Sequence, residues 1–343
     1  MRRTGEAILP LHTGRAPAWL MEKMILLSRE IVRIITEEYG PEELLVRLSD
    51  PFWFQSLGCV LGFDWHSSGL TTTTCAALRE AIKPLKKELN IFACGGKGRV
   101  ALETPQEIER ICDTFSISEG ESFIYASRMS AKVDSACVQD GFSLYHHMIF
   151  FTQNQWCVIQ QGLDGERWAR RYHWLSSDLK SFVCEPHKAI CSPVKRRILN
   201  LVAEKSSFAR ECILKLSKHK PEEISTMKRK FIEDESISPE RLGKAVALSY
   251  DCCPESFEQL ISIRGIGART LRALALLSEI IFGAPLSFKD PVRYTFAHGG
   301  KDGVPYPVDL KTYRNSIEIL KKAVEKAKIG HYEKIRALRR FSI

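Results

Sequence analysis

Residues 257–283 read FEQLISIRGIGARTLRALALLSEIIFG, and how they fold decides the C-terminal third of the chain. Apolar residues in the first part recur at helical spacing, the chain turns through Gly265-Ile266-Gly267, and a longer apolar helix begins near Arg269. Two glycines one residue apart, set between helices, give a tight turn whose backbone N–H groups face outward. Those amides lie near the positive end of the following helix and suit a phosphate oxygen. Ile261, Ile263, Ile266, Leu271, Leu274 and Leu277 form the apolar frame that pins the two helices together. An ordinary glycine turn between core helices would use the same frame. The flanking Arg264, Arg269, Thr270 and Arg272 turn the reading towards a polyanion.

The pattern resembles a helix-hairpin-helix element, which holds DNA by its backbone without reading sequence. The resemblance implies a contact set of Arg264, Gly265, Ile266, Gly267, Arg269, Thr270 and Arg272, with single- or double-stranded DNA as the partner.

Charge supports that partner. Lys+Arg 50 against Asp+Glu 41 leaves a net +9 over 343 residues. The excess is uneven, because 301–343 holds eleven Lys/Arg and five Asp/Glu, about six of the nine net charges. No run of eighteen apolar residues occurs, so no membrane span is expected. The eleven cysteines contain no CxxC pair, and an odd count argues against a complete disulfide framework. Reduced, buried thiols in a cytoplasmic protein are the expectation.

The chain length allows two or three domains, and both helical and strand-like patterns occur. The expected class is α+β: a mainly helical N-terminal region over 1–114, a central, mostly antiparallel β region over 115–190, and an all-helical helix-hairpin-helix domain over 191–343. Leu20, Met24, Leu27, Ile31, Ile34 and Ile35 make the stripe of a first helix, and Pro41 starts a second. Ile91 to Cys94 reads as a strand running into the turn Gly95-Gly96-Lys97-Gly98. Thr104 and Glu107 predict a capping box for the next helix. Ser122 to Ala126 is a candidate strand, and LYHHMIFF (144–151) and QWCVIQQ (155–161) are two more, joined as a hairpin. Alternation puts His146 and Met148 on one face of that sheet, His147 and Ile149 on the other. Residues 186–193 read as a linker, and 194–203 as a helix.

Two stretches collect residue types suited to chemistry. In PFWFQSLGCVLGFDWHSSGLTTTT (51–74), aromatics are interleaved with hydroxyls around Asp64 and His66. Such a mixture can stack on a base and hold a phosphate, or serve as core and helix cap. Further on, Lys132, Asp134, Asp140, His146 and His147 stand within a few dozen residues, with Ser130, Gln160, Gln161, Arg170 and His173 nearby. Asp134, Asp140 and a histidine could hold Mg or Mn, with Lys132 steadying a phosphate, as phosphodiester hydrolysis requires. A polar sheet face with hydrogen-bonded histidines accounts for the same residues. Cys184, His187 and Cys191 have ligand-like spacing but no evident fourth ligand for zinc, and packing is the simpler reading.

Over most of its length the chain resembles the archaeal and bacterial family known only as domain of unknown function 763. The strings RRTGEAILPLH, SDPFWFQSLGCVLGFDWHSSGLTTT, ACGGKG, LYHH, QQG and RYHW carry that likeness. It implies a family and no activity. Residues 257–295 also resemble helix-hairpin-helix DNA glycosylases, which place a catalytic aspartate about twenty residues beyond the turn. That resemblance implies Asp290, in KDPVR, as the aspartate stabilising positive charge on the sugar. Bifunctional members carry a nucleophilic lysine where Arg269 stands, and a permanently protonated guanidinium cannot attack.

The expectation is therefore a DNA-binding protein of DNA repair or processing, leaning towards a nuclease-like hydrolase gripped to the backbone by its hairpin. A glycosylase centred on Asp290 and a non-catalytic nucleic-acid-binding or scaffold protein are the alternatives.

Overall fold

The computed structural model describes residues 18–62, 69–165, 168–234 and 236–294, with scattered positions between 318 and 335. The fold is α+β. Four helices open it: α1 (Ala18–Tyr39), α2 (Pro41–Ser49), α3 (Pro51–Leu61) and α4 (Gly69–Ile82), followed by the short α5 (Lys86–Leu89). Met24, Leu27, Ile31, Ile34 and Ile35 of α1 are buried as their spacing predicts. Pro41 begins α2, and Asp50 caps α3 by accepting from the Trp53 amide at 2.7 Å.

Strand β1 (Phe92–Lys97) then enters the sheet. The short α6 (Arg99–Leu102), α7 (Thr104–Phe115) and α8 (Gly120–Lys132) follow, and a π-helical turn over Val133–Cys137 leads into β2 (Val138–Gln139). Strands β3 (Ser143–Phe151), β4 (Trp156–Leu163), β5 (Ala169–Leu175) and β6 (Ala189–Cys191) complete a five-stranded sheet, entirely antiparallel, in the order β1-β3-β4-β5-β6. The expected hairpin joins β3 to β4.

Alternation gives the sheet two apolar faces. Met148, Phe150, Cys157, Ile159 and Leu175 pack against α1–α4. Ile149, Phe151, Val158, Tyr172, Trp174 and Ile190 pack on the opposite side, in the core that also contains the C-terminal helices. Those are α9 (Ser207–Leu216), α10 (Pro221–Phe231), α11 (Pro239–Cys252), α12 (Phe257–Ser262) and α13 (Ala268–Phe282). Because β1 pairs with β3, the sheet draws on residues from both sides of position 114.

Four local expectations are corrected. The stretch 122–126 is helix, inside α8, where Phe123, Ala126, Ser127 and Ser130 bury one face at i, i+3, i+4 and i+7. Residues 186–193 are not a linker, since β6 pairs with β5. The stretch 194–203 is extended: β7 (Leu199–Asn200) pairs with β2, and the Asn200 amide donates to the Ser287 carbonyl at 2.9 Å. Tertiary partners hold this backbone open, with the Arg210 guanidinium bonding the Leu201 and Ala203 carbonyls, each at 2.8 Å. The capping box is absent because Thr104 already lies in the first turn of α7 and its hydroxyl donates to the Ala101 carbonyl. Glu107 instead ion-pairs with Arg79 and accepts from the Gly95 amide.

All eleven cysteines are free thiols. No described helix is long and apolar enough to cross a membrane. The predicted last helix (310–327) and the sequence pair Asp64 and His66 lie outside the described residues, apart from helical positions at Glu318, Lys321, Lys322 and Glu325.

Candidate nucleic-acid interface

The turn between α12 and α13 has the predicted form. The Ser256 hydroxyl caps α12 by accepting from the Gln259 amide, and Ile263 leads into Arg264-Gly265-Ile266-Gly267. Gly265 has φ +103°, a region that favours glycine, and a Cβ there would come within 2.9 Å of the Leu248 side chain on α11. Ile266 is fully buried and anchors the turn, whereas Arg264 and Arg269 are exposed. No side chain caps the N-terminus of α13, whose N-cap residue is Gly267. Thr270 is buried, whereas Arg272 is exposed like Arg264 and Arg269, with its guanidinium 3.6 Å from Asp234.

The hairpin is bolted to the central region. The Lys132 ammonium, expected to steady a phosphate, donates instead to the Ile263 carbonyl at 3.4 Å, and burial lowers its pKa. Gln139 donates its amide to the carbonyls of Ala268 (2.8 Å) and Ala136 (3.1 Å). The Tyr125 hydroxyl on α8 donates to Glu258 on α12 at 2.7 Å. Both sides of the turn are therefore held by the segment that carries Asp134.

Asp134 is completely buried in the π-helical turn. One carboxylate oxygen accepts from Gln160 Nε2 and from the Trp174 indole (3.0 Å), and the other accepts from His187 Nε2. The orientation of Gln160 fixes what lies beyond it. With its NH2 on Asp134, its Oε1 faces His147 Nδ1 at 2.9 Å, which makes Nδ1 the protonated nitrogen. His147 Nε2 then accepts from the Ser127 hydroxyl at 2.8 Å. Burial raises the Asp134 pKa against the pull of His187, Trp174 and Gln160, and burial lowers that of His147.

Asp140 belongs to a second group. Its carboxylate accepts from the Phe142 amide (2.9 Å), the Tyr172 hydroxyl (2.6 Å) and Arg170 Nη1 (3.0 Å). Arg170, whose side chain is wholly buried, also grips Asp290, and its guanidinium lies 4.6 Å from the Phe142 ring centroid. Asp290 further accepts from the Arg196 and Val292 amides at 2.9 and 3.0 Å. The aspartate that the glycosylase resemblance marks as catalytic is thus turned inward, with both oxygens committed to N–H donors.

These contacts answer the metal expectation on chemical grounds. All four oxygens of Asp134 and Asp140 accept hydrogen bonds from N–H or O–H donors. Among the described residues, no three His, Cys, Asp or Glu side chains converge on a point that could hold a cation. The donor set does not fit Mg or Mn. Cys184, His187 and Cys191 do not form a ligand set either: His187 serves Asp134, and Cys191 is buried beside Arg171.

His146 lies on the opposite face from His147, as alternation requires, and does not join Asp134. It is opposite Lys97 on one side and Gln161 on the other.

A family model described as "Protein of unknown function (DUF763)" matches residues 5–308. The chain belongs to this family. No curated protein and no solved structure matches it.

For this DUF763 chain, spacing along the sequence did not reveal how the polar residues group in space. Lys132, Asp134 and Asp140 are 132–140 neighbours in sequence and serve three different partners in space. The residues that complete the groups are His187, Trp174, Tyr172 and Arg196. They come from distant strands and loops and carry no local motif. Period-2 alternation along RYHW was the one available signal, since it puts Tyr172 and Trp174 on the same side as Gln160 and His147.

Proposed function

We propose that the protein binds nucleic acid by its phosphate backbone, without reading sequence, with the Arg264–Arg269 turn as the grip, and that it acts in DNA repair or processing. The observation that carries this reading is the turn itself. Gly265 stands at positive φ, Ile266 is buried as an anchor, and Arg264 and Arg269 are exposed on either side of an uncapped helix start. Backbone amides of such a turn, next to a helix N-terminus and two guanidiniums, complement a phosphodiester in shape and charge. The basic excess of 301–343 adds a second, sequence-independent attraction. Free thiols throughout fit a reducing, cytoplasmic setting.

Binding is the core of the proposal, and chemistry is not part of it. Asp134, Asp140 and Asp290 are held by structural donors, which favours binding over a metal-dependent nuclease or an Asp290-centred glycosylase. The test is fluorescence anisotropy of labelled single- and double-stranded DNA of unrelated sequences over a range of salt. Expected is binding of similar strength across sequences, steeply weakened by salt, and lost in Gly265→Glu, which places a bulky anion at the turn. If Gly265→Glu leaves affinity unchanged while the protein remains folded, the hairpin is not the grip.

A further inference from the structure

A polar lane crosses the sheet on the face covered by α2 and α4. Strand register sets Lys97 of β1 opposite His146 of β3, His146 opposite Gln161 of β4, and Gln161 opposite Arg171 of β5. β1 is the edge strand, so the lane begins at the exposed Lys97 and runs inward through side chains that are almost entirely buried. No carboxylate belongs to this row.

His146 is the anomaly within it. The residue is 2% exposed, and neither ring nitrogen has a hydrogen-bond partner among the described residues. The Gly96 backbone lies close to the ring and favours its protonated form against the burial. An imidazole stripped of water with no partner is a standing cost, and such groups call for a specific explanation. Its neighbours along and across the strands are donors as well. Tyr145 accepts from Gln161 Nε2 and keeps its own O–H proton to give. The Lys97 ammonium sits 5.4 Å from the Tyr145 ring centroid. The local backbone is shaped for this arrangement. A register shift between Leu144 and His146 re-aims the strand, and the Gly98 amide closes the turn on the Tyr145 carbonyl at 2.8 Å. Gly95 could be nothing larger, since a Cβ would lie 2.3 Å from the His147 carbonyl oxygen.

We propose that this row is a binding site for a phosphate-class oxyanion, entered at the Lys97 edge, with Lys97, the His146 ring N–H and the Tyr145 hydroxyl as donors. An ammonium, a ring N–H and a hydroxyl, with no acid in the row among the described residues, suit an anion and repel a metal ion. Burial and the charges of His147 and Lys97 hold the His146 pKa down at about 3, so the ring is a neutral donor at physiological pH. The site stands apart from the hairpin and does not depend on the hairpin's function.

The test uses the full chain with nitrogen-15 histidine, following the His146 ring by NMR, with His146→Gln as the assignment control. Inorganic phosphate and a nucleoside monophosphate are titrated separately, each against sodium chloride at matched ionic strength. Expected is a saturable shift of the His146 ring signals with phosphate and not with chloride, weakened about tenfold or more in Lys97→Ala, a surface substitution. Tighter binding of the nucleotide would mark it as the source of the phosphate, and equal binding would mark free phosphate. A His146 signal unmoved by both ligands, or moved equally by chloride or in Lys97→Ala, overturns the proposal and leaves buried water as the partner.

Discussion

Arg170 and Asp290 are 120 residues apart in the chain and meet inside the molecule as a two-bond ion pair, Nη1–Oδ1 3.2 Å and Nη2–Oδ2 2.8 Å. Both side chains are buried, and Asp140 is a second carboxylate on the same guanidinium. Removing Asp290 breaks a buried ion pair and leaves the Arg196 and Val292 amides, with part of the guanidinium, without their acceptor. Asp290→Ala is expected to cost about 3–5 kcal/mol in urea unfolding. Asp290→Asn should also be clearly destabilised, because one side of the amide presents N–H groups to the Arg170, Arg196 and Val292 donors. An Asn variant as stable as the parent would show that the carboxylate is spared for another purpose.

Arg264 and Arg269, the exposed arginines that flank the glycine turn, should act through charge alone. Replacing Arg264 and Arg269 together by serine is expected to lower the slope of log affinity against log salt by about two, with a parallel loss for every DNA sequence. Thermal stability should stay within about 0.5 kcal/mol of the parent, since neither side chain is buried. A loss confined to one sequence would contradict backbone recognition.

Gln139 bonds carbonyls on both sides of a gap, Ala136 in the π-helical turn and Ala268 at the start of α13. Gln139→Ala is expected to cost about 1 kcal/mol. The more specific outcome is local: amide hydrogen exchange around 266–271 should accelerate relative to α9, as the start of α13 loses its tie to the central region. Uniform acceleration across both helices would mean that the bond contributes only to global stability.

Acid should weaken the fold through His146. Its pKa is lowered from 6.5 in the unfolded chain to about 3 when folded. Between these values the unfolded state binds a proton that the folded state refuses, so stability falls as pH drops below 6.5. From pH 7 to pH 5 this single histidine accounts for about 2 kcal/mol. His146→Asn, compared with the parent by urea unfolding at both values, should show a smaller decline by about that amount. An equal decline would place the acid sensitivity elsewhere, with the buried His147 and His173 next in line.

Much of the fold was legible because it rests on local periodicity. The stripe of α1, the proline start of α2, the β3–β4 hairpin and the glycine turn before α13 each follow from spacing along one element. Where reading failed, the deciding partner was remote. Residues 194–203 have the composition of a helix, yet Arg210 and the chain at 287–288 bind their backbone in extended form. Ser122 to Ala126 is too short a window to separate strand from helix, and the buried face of α8 appears only over its full length. The polar interior was harder still. Asp134 and Asp140 look like a metal pair in sequence because spacing records nothing of direction. It is the π-helical turn at one and the Phe142 turn at the other that send them to different partners.

The return of the chain to the sheet after α13 has a consequence for solubility. Tyr294 forms a parallel bridge with Cys191, the Ser192 amide donates to the Tyr294 carbonyl at 3.1 Å, and the Arg293 amide donates to the Ile190 carbonyl at 3.1 Å. The outer side of β6 is thereby occupied by the protein's own backbone. At the far border, β1 ends in two glycines and a lysine, which offer an incoming strand little to pair with and a charge to bury. Among the described residues the sheet is covered at one rim and blunted at the other, which disfavours strand-by-strand polymerisation.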